Sequence, residues 1–142
     1  MRMEIGGSSV RFYSDSRRRV NLALLGTWAA HLNNMITGVT MGWEARMKIV
    51  YSHFPIKLVQ EGKDILVQNF LGEKKPRVTS IVGDTKVDIK KDEVIISGIS
   101  KEDVGQSAAN IELATKITGY DRRVFQDGCY IVQKCKPVEG HA

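Results

Sequence analysis

The sequence predicts an α+β fold of two similar small domains, each an antiparallel-rich β-sheet with one helix packed on it. Three observations carry this expectation. A strand-turn-strand-helix unit occurs twice, apolar residues alternate with polar ones within each hairpin, and each hairpin runs into a segment whose apolar residues recur every three or four positions. The chain has 142 residues, 42% hydrophobic and 26% charged, enough for one compact domain or two small ones.

The repeat is read without a gap. Met3 to Ser16 (MEIGGSSVRFYSDS) lies over Val87 to Ser100 (VDIKKDEVIISGIS), so that Met3, Ile5, Val10 and Phe12 fall on Val87, Ile89, Val94 and Ile96. Chance similarity of two amphipathic hairpins is the competing reading. After the first hairpin, Ser14-Asp15-Ser16 offers N-caps for a helix. Its stripe is Val20, Leu24, Leu25, Trp28, Leu32, Met35, Ile36 and Val39, with Gly38 and Gly42 as terminators. Met47 to Tyr51 reads as the last strand of a first domain, 1–52, and Pro55 lies near the boundary with a second, 53–142. The second domain opens with a hairpin, Ile56–Val59 and Ile65–Asn69, around a Glu61-Gly62 turn. Ser100, with Asp103 three residues on, resembles a capping box for the second helix. That helix buries Val104, Ala108, Ile111 and Ala114, with Gly119 marking its stop, and Cys129 to Val132 forms a closing strand.

Motifs for catalysis are missing. His31, His53 and His141 are scattered, and no Cys-x-x-Cys or paired-His pattern occurs, so neither a metal site nor a cofactor is expected. There is no Gly-x-Ser-x-Gly elbow, phosphate loop or dinucleotide fingerprint. Asp121 and Asp127 flank a loop as an imaginable acid/base pair, but Arg122 and Arg123 stand beside them as ready partners. A small hydrolase using Asp121, Asp127 or His53 would lack a nucleophile constellation, and no small-molecule substrate is expected. Cys129 and Cys135 are read as reduced thiols of a cytoplasmic protein, since no secretory signal and no membrane span is apparent.

Charge points elsewhere. Lys and Arg number 21 against 16 Asp and Glu, a formal +5, with a sequence pI near 9.3. This balance suits a polyanion partner, with plain solubility as the alternative. The basic residues gather in loops. Asn69 to Arg77 (NFLGEKKPR) carries Asn69, Gly72, Lys74, Lys75 and Arg77 around Pro76. Gly119 to Gly128 (GYDRRVFQDG) carries Tyr120, Arg122, Arg123, Phe125, Gln126 and Gly128, with Lys134 beyond it. Glycines let backbone approach a phosphate, arginines grip it, and exposed aromatics stack on unpaired bases. Arg17, Arg18 and Arg19 precede the first helix, where positive charge opposes the helix dipole and fits a site completed by an anion. With His53 at the domain junction, these are secondary candidates. A free-standing single-strand RNA binder reading bases on a sheet face would want a Lys/Arg-Gly-Phe/Tyr pattern on central strands, and none is present.

At these residues the chain resembles a known family. Gly38 to Lys57 (GVTMGWEARMKIVYSHFPIK), Asn69 to Arg77, Val104 to Glu112 (VGQSAANIE) and Arg123 to Val132 (RVFQDGCYIV) resemble the sixth protein of the large ribosomal subunit, archaeal and eukaryotic branch. The resemblance implies two similar domains, binding to large-subunit ribosomal RNA mainly through the C-terminal one, a place near the sarcin–ricin loop where translational GTPases dock, neighbouring ribosomal proteins, and no catalysis. Carried over by position, the contacts it implies are Lys74, Lys75 and Arg77 in one loop and Arg122, Arg123, Gln126 and Gly128 in the other. Family members carry roughly a further hairpin's length before the position matching Met1. The first sheet is therefore expected to be incomplete, with an edge that is exposed or covered by RNA or a neighbouring protein.

Overall fold

The structure, a computed structural model, describes residues 1–138; His141 lies outside them. Nine strands and two helices follow one another as β1 (Arg2–Ile5), β2 (Val10–Tyr13), α1 (Arg19–Thr40), β3 (Trp43–Val50), β4 (Lys57–Glu61), β5 (Asp64–Gln68), β6 (Arg77–Ser80), β7 (Lys86–Ile89), β8 (Glu93–Gly98), α2 (Lys101–Ala114) and β9 (Gly128–Pro137). The fold is α+β, as expected. The strands form an isolated β1-β2 pair, a four-stranded sheet in the order β7-β8-β3-β9, and a three-stranded sheet β4-β5-β6. All pairings are antiparallel.

Both hairpins of the sequence repeat form, in equivalent register. Met3 faces Phe12 and Ile5 faces Val10, while Val87 faces Ile96 and Ile89 faces Val94. Each hairpin leads into a helix. The helix starts differ, however. Ser100 caps α2 by accepting the Asp103 N–H. Helix α1 begins after Arg18, which makes no side-chain cap, and the Ser14-Asp15-Ser16 stretch is left upstream.

The strand expected over 47–51 to close the first domain belongs instead to the second half's sheet. In β3, Trp43, Ala45, Met47 and Ile49 point inward in strict alternation. This period-2 face fits between Val94 and Ile96 of β8 and Cys129 of β9, which are buried beside it. The sheet grouping therefore leaves only β1, β2 and α1 apart from the main core. Helix α2 lies over this sheet and also touches β6. It buries Val104, Ser107, Ala108 and Ile111, while Ala114 is half-buried. The same core continues through Leu58, Ile65, Val67 and Phe70 into the three-stranded sheet. Each such side chain contributes about 1.5–3 kcal/mol on burial.

The expected apolar stripe of α1 finds no sheet to cover. Only Gly38 is buried in this helix of 22 residues. Leu25 and Leu32 are half-buried, and Val39 is 76% exposed. The reason is supply: β1 and β2 have four residues each, and β1 is exposed throughout. Phe12 and Trp28 make the main ring contact between hairpin and helix, edge to face at 5.8 Å. Gly38, expected as a terminator, sits inside the helix as its docking point, because a Cβ there would collide with the Ile99 carbonyl. The stop is Gly42, at φ +82 just past the C-cap Met41. Gly119 likewise lies beyond the end of α2, whose C-cap is Thr115.

Candidate nucleic-acid interface

The first basic loop is built on left-handed backbone. Asn69, Leu71 and Gly72 have φ of 58, 51 and 74°. Asparagine and glycine adopt this region readily; leucine does so at a cost of about 1–3 kcal/mol. Leu71 is held there with its side chain buried. Asn69 Nδ2 donates to the Pro55 carbonyl at 3.0 Å, and Gly72 packs against the Phe54 ring. The turn therefore grips the segment just after β3 and leaves Lys74 and Lys75 exposed at its apex.

Arg77 serves the loop itself. Its Nε and Nη2 hold both oxygens of Glu73 at 2.9 and 2.7 Å. Nη1 donates to the carbonyls of Ala114 and Lys116 at 3.0 and 2.8 Å. The guanidinium also lies 4.4 Å over the Phe70 ring. With these donors engaged, Arg77 clamps the loop to the end of α2, whose last carbonyls lack helical partners. Glu73 is held below its usual carboxylate value by the Arg77 hydrogen bonds.

The second basic loop is wound into a turn. The Asp121 carbonyl accepts the N–H groups of Val124 and Phe125 at 3.1 and 2.9 Å, and its Oδ1 accepts the Arg123 N–H at 3.0 Å. The Tyr130 hydroxyl donates to the Gln126 carbonyl. Gly128 is buried at φ +153, where a Cβ would stand 3.3 Å from the Thr115 carbonyl, so it is a packing residue rather than a free approach point. Arg122, Arg123, Gln126 and Tyr120 remain exposed.

Both loops pack against the segment that follows β3. Asp127 is fully buried; its Oδ1 accepts the Ser52 N–H at 3.1 Å and the Ser52 hydroxyl at 3.0 Å. His53 stacks on Phe125 with centroids 4.8 Å apart. Residues 52–54 thus lie between the loops, touching Gly72 on one side and Phe125 on the other, and Arg77 bridges directly to Lys116. Lys74, Lys75, Arg122, Arg123 and Lys116 have no ion pair among the described residues. Lys116 joins the cluster although neither basic motif included it, and Phe125, already noted in the second loop, joins it through the His53 ring. A basic residue just past a helix end, three residues before a glycine, was the available signal for Lys116.

Other candidates lie apart. Lys134, on β9, borders a groove with Asn34, Lys101 and Glu102. Arg17, Arg18 and Arg19 are exposed before and at the start of α1. Among the described residues, no hydrogen bond or ion pair joins any of them to either loop.

Ser52, His53 and Asp127 are mutually close but wired against catalysis. Nucleophile activation requires the imidazole between the hydroxyl and the carboxylate. Here the Ser52 hydroxyl stands between them, giving its proton to Asp127 while its oxygen lies 2.9 Å from His53 Nδ1. Of the two carboxylates weighed above, Asp121 is committed to the Arg123 N–H as a turn cap and Asp127 to Ser52 as a long-range tie.

Residues 54–128, spanning both basic loops, match the family model for ribosomal protein L6. The chain is 52% identical over 134 residues to large ribosomal subunit protein uL6 of Methanosarcina mazei, covering 94% of this chain and 76% of that protein. To uL6 of Methanothrix thermoacetophila it is 54% identical over 128 residues, 89% and 72% of the two chains. To uL6 of Thermoplasma acidophilum it is 48% identical over 128 residues, 90% and 72%. With about half of its residues shared across some nine-tenths of its length, the chain belongs to the ribosomal protein L6 family.

Proposed function

We propose that this protein, as a large-subunit ribosomal protein, acts by geometry: its two basic loops grip ribosomal RNA together and fix the orientation of the RNA segments they touch. The observation that carries this is that residues 69–77 and 119–128 both pack against the 52–55 segment, with Lys74, Lys75, Arg122 and Arg123 exposed and without an ion pair among the described residues. Cations placed on phosphates release condensed counterions, so affinity arises there without any reacting group. Such a protein is a structural constituent of the ribosome in the cytoplasm and needs no cofactor. The family resemblance supports a finer reading, in which the RNA gripped lies near the sarcin–ricin loop, with neighbouring ribosomal proteins alongside and translational GTPases docking close by.

Sedimentation of a native lysate tests the assignment. Co-migration with the large subunit through a moderate salt wash is expected, and recovery only at the top of the gradient would sink it. At the site, replacing Arg122 and Arg123 together with Ala should lower the salt slope of RNA binding by up to about two units. An unchanged slope would show that neither side chain touches a phosphate.

A further inference from the structure

Within the loop cluster, three aromatic rings stand in a row. Tyr120 and Phe125 have centroids 4.8 Å apart at an interplanar angle of 53°, and Phe125 and His53 are 4.8 Å apart at 35°. Phe125 is partly buried and packs on the core, while Tyr120 is 50% exposed and His53 is exposed. The row is anchored at both ends. The buried Asp127 carboxylate holds residue 52 and hence His53. The Asp121 turn, with its N–H groups from Arg123, Val124 and Phe125, brings Tyr120 and Phe125 together.

A fixed row of rings with exposed ends, beside the unpaired Arg122 and Arg123, has the chemistry of a base-stacking platform. Bases offer a π-face whatever their sequence, and the adjoining phosphates suit the flanking guanidinium groups. An apolar protein partner would have to desolvate those cations without partners. We infer that the His53–Phe125–Tyr120 row is a stacking platform for an unpaired base of the ribosomal RNA, with Tyr120 as the contact ring. This rests on the RNA-binding reading above and adds the kind of contact. Stacking neutralises no phosphate, so it contributes affinity without contributing to the salt slope.

The test is filter binding of the full chain to a large-subunit ribosomal RNA transcript over a range of salt, with circular dichroism to confirm folding. Tyr120→Ala should bind about tenfold more weakly with the wild-type salt slope, and Tyr120→Phe should stay within about twofold of wild type. Affinity of Tyr120→Ala within about twofold of wild type would overturn the platform. Tyr120→Phe as weak as Tyr120→Ala would also overturn it, assigning Tyr120 a hydroxyl hydrogen bond. A lowered slope in Tyr120→Ala would do the same, making the ring a prop for the arginines. In each of these cases the wild-type chain still binds with a salt slope, so the RNA-binding reading stands. Absence of salt-dependent binding by the wild type would refute both.

Discussion

Arg77 and Arg122 look alike in the sequence, basic residues in glycine-bearing loops, yet the structure uses them oppositely. Arg77 bonds Glu73 and two carbonyls at the end of α2, while Arg122 has no ion pair among the described residues. Replacing Arg77 with Met keeps much of the stem and removes the donors. Hydrogen bonds to a charged group contribute about 1.5–3 kcal/mol each, so urea denaturation should show a loss of at least that order, with the RNA salt slope unchanged. A lowered slope would return Arg77 to the phosphate contacts. The same clamp has a pH signature. Glu73 sits below its ordinary 4.5, so its contribution is present above that pH and is lost as pH falls through the lowered value. Glu73→Gln should flatten stability across that acid window, and an undiminished acid dependence would remove Glu73 as its source. Cys129 behaves in the opposite sense. Burial pushes its thiol up to about 12, so the folded state favours the neutral thiol and loses that advantage as pH rises through the alkaline range. Alkylation of Cys129 at neutral pH should track global unfolding, and rapid labelling of the native protein would contradict its burial.

At the scale of elements, β3 and α1 show how far local pattern reaches. The alternation in β3 was readable as a strand, but its neighbours β8 and β9 come from more than forty residues away, and no local signal names them. For α1 the period was right and the partner missing. Its attachment rests on Gly38 against Ile99, the Trp43 Nε1 bond to the Asn34 carbonyl at 3.1 Å, and His31 beside Glu102 at 3.1 Å. Gly38→Ala is the discriminating change. In a free helix it would help by up to about 1 kcal/mol, whereas a collision with backbone costs about 1–3 kcal/mol. The substitution should therefore strip hydrogen-exchange protection from α1 while leaving β3 and β8 protected. Stabilisation instead would show that the contact does not hold α1.

The whole molecule divides into a well-packed part and a lightly attached one. Fully buried Met47, Ile65, Phe70, Val94, Ile96 and Ile111 tie α2 and two sheets into one cluster, whereas α1 buries a single glycine. Opening free energies from native-state hydrogen exchange should accordingly be lowest in β1, β2 and α1 and reach the global value in β3, β8 and α2. Equal protection throughout would mean that the exposed stripe of α1 is covered in solution. Both basic loops belong to the well-packed part, which keeps their cations at fixed spacing.

What the sequence by itself determined is everything governed by neighbours in the chain. The two hairpins and their equivalent registers, the Ser100 cap and the presence of both helices follow from period, turn chemistry and capping. The basic loops were legible for the same reason, since composition and spacing are local, and the blocks of family resemblance pointed to the same segments. Only the tertiary structure decided that β3 joins the second sheet, that Gly38 docks a helix, that Arg77 is a clamp and that Asp127 ties the second loop to Ser52. Those outcomes depend on groups 37 to 94 residues apart meeting in space. Closing such loops is decided by the summed burial of the core, which no single segment of the chain encodes.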